Sequence, residues 1–102
     1  MNKEFLNEYA KLKEIKDILI TLDFGKISNG LKEVLSSIIS KKNIFKDQEE
    51  AKKVINLLSI FIKNLDNVRD EKDIEVYKYL AIETKKGAEL HIKWVLELLE
   101  KT

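Results

Sequence analysis

Apolar residues recur along this chain every three or four positions, the spacing of one face of an α-helix, and nowhere keep up the two-residue alternation of a half-buried strand. Phe5, Leu12, Ile15, Leu19 and Leu22 form the first stripe, flanked by Tyr9 and Ile18, and predict a helix over about residues 3–22. Asp23-Phe24-Gly25 interrupts the pattern and reads as a helix-ending turn whose phenyl ring plugs the end of the hairpin. Ser28 or Asn29 then serves as the N-cap of a second helix with the stripe Leu31, Val34, Leu35, Ile38 and Ile39. That helix is expected to end near Lys41-Lys42-Asn43, because cations suit a helix C-terminus and Asn tolerates the left-handed conformation that often closes one. Ile44 and Phe45 are expected to turn inward from the loop.

Asp47 and Glu50 resemble a capping box, and Ala51, Val54, Leu58, Phe61, Leu65 and Val68 follow in heptad spacing. Ile55, Leu57, Ile60 and Ile62 widen this third stripe until only a narrow polar strip of Lys52, Asn56, Ser59 and Lys63 remains. A helix so apolar needs cover on more than one side, which makes it the central element of the fold. Asp70 and Asp73 are two candidate caps for the last helical segment, whose stripe runs Ile74, Tyr77, Leu80, Ala81 and Thr84. Lys85-Lys86-Gly87 resembles a C-cap, yet the stripe continues in phase through Ala88, His91, Val95 and Leu98, predicting one long helix from about 71 to 101.

Proline is absent and there are only three glycines, so helices can run long and breaks are few. The expected fold is an all-α antiparallel bundle of four helices, or five if Gly87 breaks the last. It forms a single domain of two helical hairpins, about 3–42 and 47–101. ILITLD (Ile18 to Asp23) aligns with FIKNLD (Phe61 to Asp66), and LKEVL (Leu31 to Leu35) with IKWVL (Ile92 to Leu96) after an insertion, an alignment that would make the hairpins related.

Composition narrows the function classes. With 44% hydrophobic and 36% charged residues the 102-residue chain is globular rather than disordered in character. Nineteen cations against 18 anions leave a net charge of +1, without the footprint of a general nucleic-acid binder. A local cluster of Lys41, Lys42, Lys46, Lys52 and Lys53 keeps nucleic acid as the alternative partner, although Arg69 is the only arginine suited to bidentate phosphate contacts. The chain has no cysteine, so disulfides and thiolate metal ligands are excluded. The N-terminal residues include acids and lack an apolar run, and VINLLSIFI is interrupted by Asn56 and Ser59. Neither a signal peptide nor a membrane partner is therefore expected, and the expected location is the cytoplasm, that of the host if the chain is viral.

Little in the chain resembles catalytic chemistry. His91 is the only histidine, and no nearby Ser or Asp marks a nucleophile unit around it; on an apolar helix side it reads as a core residue donating one hydrogen bond. The residue three before it is Ala88, not the Glu of a di-iron bundle motif. Glu14 with Asp17 and Glu97 with Glu100 lie among lysines as solvated charge. Asp23-Phe24-Gly25 matches the kinase magnesium motif without a glycine-rich loop or catalytic loop. The expectation is a non-enzymatic chain with no catalytic residue, cofactor or metal.

What is left over is apolar helix surface. Leu57, Ile60 and Ile62 on the third helix, with Leu90, Ile92 and Trp94 flanking the last, are the candidate contacts for a protein or peptide partner, a homodimer included. Abundant Lys, Ile and Glu, the lack of Cys, a single Gln and the paired segments above resemble small all-α orphan proteins of hyperthermophilic archaea and their filamentous viruses. NLLSIFIKNLD resembles a helical family of unknown function found beside formate dehydrogenases. The first resemblance implies a small helical interaction protein, and neither assigns a functional residue.

Overall fold

A computed structural model describes residues 1–102. Four α-helices account for most of the chain: α1 Leu6–Ile18, α2 Phe24–Ser40, α3 Gln48–Arg69 and α4 Ile74–Glu100. Short 3-10 turns lead into α1 at Lys3–Phe5, extend it at Leu19–Thr21 and follow α2 at Lys42–Ile44. No strand is present, and no helix is long and apolar enough to cross a membrane. The fold is an all-α helical bundle measuring 45 × 21 × 18 Å. Each helix packs against its neighbours in a ring, α1 on α2, α2 on α3, α3 on α4 and α4 back on α1.

The heptad of α3 explains the centre of the fold. Ala51, Val54, Leu58, Phe61, Leu65 and Val68 are all buried, and α3 forms the two most extensive helix interfaces, with α2 and with α4. Asp47 caps the helix by accepting from the Glu49 amide at 2.9 Å, and Asp73 caps α4 by accepting from Glu75 and Val76. Both are the residue type that best satisfies otherwise unpaired first-turn amides. Buried residues of all four helices, joined by Phe5 and Phe45, make one continuous core. The rings of Phe5 and Phe45 lie with centroids 4.5 Å apart, so the loop after α2 is pinned to the start of the chain.

The beginning of α2 differs from the sequence expectation. Asp23-Phe24-Gly25 does not end a helix; Asp23 begins one, accepting from the Lys26 amide at 3.1 Å, and Phe24 is its first residue. The break falls one residue earlier, at Leu22, which adopts the left-handed conformation with φ 56°. Phe24 is buried and packs edge-on against Tyr77 of α4, while Ile27 extends the stripe by one turn. Ser28 lies inside the helix and is fully buried. Gly30 is also helical, and its missing side chain admits Ile15 of α1: a Cβ there would stand 3.1 Å from the Ile15 Cδ1.

At its other end α2 stops at Ser40, and Lys41 closes it with φ −108° instead of a left-handed Asn43. Phe45 turns inward as expected, whereas Ile39 and Ile44 remain exposed. The last helix runs unbroken through Gly87. Its buried side is Ala81, Ala88, Ile92, Val95, Leu96 and Leu99, rotated from the expected stripe, so Ile74 faces solvent and His91 moves from the middle of the buried side to its edge. Ala81 and Ala88 permit close packing, and apolar residues surround the last three turns, which leaves the helical phase undetermined by spacing alone.

A second apolar face on the last helix and a cleft beside it

At 100° per residue, Val76, Tyr79, Leu90 and Trp94 project within a sector of roughly 60°, opposite the buried side of α4. They are 42%, 66%, 50% and 44% exposed. Glu83 and Lys86 sit between the two apolar pairs on the same side, and Ile82 stands exposed beside them. Leu90 also borders a shallow depression shared with Ile20, the most exposed large apolar residue of the chain, and with the charged side chains of Lys16, Asp17, Lys86, Glu89 and Lys93. Thus α4 carries apolar residues on two opposite sides, those of the outer side set among Glu83, Lys86 and Glu97, and the fold covers only the inner side.

A cleft of about 390 Å³ runs beside this face, between α3 and α4. Phe61, Val68 and Leu80 supply its apolar lining; Asn64, Asn67, Glu83 and Thr84 supply polar groups. Gly87 opens onto the same space, for a Cβ built there meets no atom within 4 Å. His91 closes one end. Its Nδ1 lies 2.7 Å from the Gly87 carbonyl oxygen, and since a carbonyl can only accept, this nitrogen carries the proton. The imidazole stacks on Phe61 at 5.1 Å and meets the indole of Trp94 at 5.3 Å. The single hydrogen bond expected of His91 is therefore made, though by a half-buried ring at the cleft's edge.

The sequence-derived contact residues separate into two groups. Trp94, Leu90 and Ile60 are exposed, Ile60 by 54%, and Leu57 is half-buried against the core. Ile62 is a correction: at 7% exposure it belongs to the core and presents nothing to a partner. Ile92 is likewise fully buried. Sequence reasoning missed Val76, Tyr79 and Ile82. Their signal was the spacing of Val76 with Tyr79 and of Leu90 with Trp94, out of phase with Ala81, Ala88 and Val95.

The lysine cluster is partly neutralised within the chain. Lys41 donates to both carboxylate oxygens of the buried Glu8, at 2.7 and 3.1 Å, and to the Glu4 carbonyl; Lys52 pairs with Glu49 at 3.3 Å. A further polar cluster, invisible in the sequence, joins α2 to α3. The buried Ser28 hydroxyl donates to Asp66, whose carboxylate also meets Lys32 at 3.2 Å and Arg69 at 3.1 Å. The bond from Ser28, assisted by Lys32 and Arg69, holds the Asp66 carboxyl below its usual range, outweighing the opposing effect of partial burial. These charges are interlocked, and this seam is a clamp between helices. Every buried side-chain nitrogen and oxygen has a hydrogen-bond partner, and no group of three or more His, Asp or Glu side chains is arranged to hold a metal ion.

The class defined by these features is an all-α helical bundle with an uncovered apolar helix face. No family model, curated protein or solved structure matches the chain.

Proposed function

We propose that the protein is a non-enzymatic protein–protein interaction module of the cytoplasm, and that the outward side of α4 receives an apolar helix face from another polypeptide. The observation carrying this reading is the second apolar stripe, Val76, Tyr79, Leu90 and Trp94, exposed on the side of α4 turned away from the core. Exposed apolar residues scattered singly need no explanation, but residues aligned along one face of a helix form a docking strip of the kind that amphipathic helices read at three- and four-residue spacing. Tyr79 and Trp94 add large, rather rigid rings with a polar end, the side chains that most often anchor interfaces. A non-enzymatic role agrees with His91, whose protonated Nδ1 is tied to a backbone carbonyl instead of an orienting carboxylate.

The test is site-specific photo-cross-linking in cells expressing the protein. Benzoylphenylalanine at Tyr79 or Leu90 should give a discrete adduct that Trp94→Glu suppresses, and the same probe at Ala10, exposed on α1, should give none. Equal adducts from all three positions, or none from the α4 positions, would refute the reading.

A further inference from the structure

Building on that reading, we infer that the helix received by α4 is the α4 of a second copy, packed antiparallel about a two-fold axis midway between Thr84 and Lys85. The outward side of this helix is its own complement. In such a pair, residues equidistant from the axis on the same side face each other, because a two-fold axis normal to the plane of two antiparallel helices returns each flank to the same flank of the partner. Glu83 and the partner's Lys86, about 60° apart on the wheel, stand at the same level across the middle of the stripe, as do Lys86 and the partner's Glu83, within reach of two opposite-charge contacts at the centre. Tyr79 meets the partner's Leu90 at equal distances from the axis, and Val76 comes within about one residue's rise of the level of the partner's Trp94. On the other flank, Glu75 comes within about one residue's rise of the level of the partner's Lys93. The apolar residues of the stripe thus lie opposite apolar ones, and the charges at its centre opposite charges of the other sign.

Within one chain Glu83 and Lys86 approach only to 3.7 Å, with 51% and 68% of their side chains exposed, so both retain capacity for a second partner. A foreign helix could satisfy the stripe without any relation between its two halves. Symmetry between those halves is what a second copy requires, and closing the two-fold covers both stripes at once. Four apolar side chains per copy place the contact at the small end of specific interfaces, which implies a reversible dimer with a dissociation constant on the order of micromolar or weaker.

Sedimentation equilibrium of the purified protein from about 1 µM to about 1 mM reads this directly. The wild type should shift from monomer to dimer with concentration. Glu83→Lys makes all central charges positive and Lys86→Glu makes them all negative, so each variant alone should dimerise roughly tenfold more weakly, while an equimolar mixture recovers wild-type affinity. Glu83 and Lys86 are exposed, so far-ultraviolet circular dichroism should remain that of the wild type. A wild type that stays monomeric, or single variants that dimerise unchanged, would overturn the pairing. The cross-linking above separates this failure from that of the broader reading. An α4 adduct of foreign mass beside a monomeric pure protein overturns self-pairing alone, whereas a monomer without any adduct overturns both.

Discussion

Replacing Gly87 by alanine should make the protein more stable, which is unusual for a substitution inside a 27-residue helix packed on a core. The backbone at 87 is right-handed, no glycine of the chain having positive φ, and a Cβ there would meet no neighbour within 4 Å. No contact is lost and no atom must move. What remains is the helix preference of alanine and the smaller entropy lost on folding, together about 0.5–1 kcal/mol. In a domain of this size that gain raises Tm by about 4–8 °C per kcal/mol. Gly30 supplies the contrast, because its Cβ would stand 3.1 and 3.3 Å from two carbons of the buried Ile15. Alanine at 30 makes the same local gain but requires the outer carbons of the buried Ile15 to give way by a few tenths of an ångström, and overpacking in a core costs about 1–3 kcal/mol. Urea denaturation followed by circular dichroism, with a common m-value confirming that the compared states are alike, measures both variants. A Gly87→Ala protein no more stable than wild type, or a Gly30→Ala protein stabilised as much as Gly87→Ala, would refute this account of the two positions.

Three further outcomes follow from particular contacts. Asp23→Ala should cost about 1 kcal/mol through the lost cap, whereas Asn29→Ala, on an exposed turn of the same helix, should be neutral or gain up to about 0.5 kcal/mol; the opposite signs in thermal melts would place the start of α2 at Asp23. Lys41→Met leaves the Glu8 carboxylate, 3% exposed, without its cation and should cost about 2 kcal/mol, less than a fully buried pair because Lys41 keeps some solvent; Glu8→Leu added to it should recover much of the loss in urea titrations. Asp66 has a folded pKa below its unfolded one, so its contribution is complete above the unfolded value near 4 and drains away as pH falls through the lower folded value. Denaturation midpoints measured down to about pH 2 should therefore decline less steeply for Asp66→Asn than for wild type, and parallel acid limbs would count against the Ser28–Asp66 clamp.

How far the sequence discloses the structure depends on the helix concerned. The heptad of α3 stands out within a wider apolar surface, and each of its six members is buried, whereas Ile60 and Ile62, which widen it alike, part into an exposed and a buried residue. Phe24 reads as the inward plug of a helix-ending turn, and Ile27 is left out of the stripe, because Asp23-Phe24-Gly25 interrupts the pattern. The ring is indeed buried, but the Asp23 cap and the packing of Phe24 on Tyr77 start α2 there, outweighing the weak helix preference of Gly25. In α4 the length was legible and the rotation was not. Leu90, Ile92, Val95, Leu96, Leu98 and Leu99 leave no phase preferred until α1 and α3 select one, and that selection buries Ile92 and exposes Leu90. The same ambiguity hid Val76 and Tyr79, since an outward apolar pair reads as noise until the inward side is known. Ser28 and Asp66 lie on different helices, and no local spacing signals a bond between them.

The ring of helices also has a kinetic meaning. Three of its four seams join helices adjacent in sequence through connections of a few residues, whereas the α1–α4 seam must bring together groups as remote as the Tyr9 hydroxyl and the Glu100 carboxylate. Chain closure over such a span is entropically costly before its contacts form. Folding should therefore begin along α3 with its two neighbours, on the microsecond-to-millisecond scale of helical proteins, with α1 docking on α4 last. Truncations at Tyr9 and Glu100 should accordingly speed unfolding while leaving the folding rate nearly unchanged.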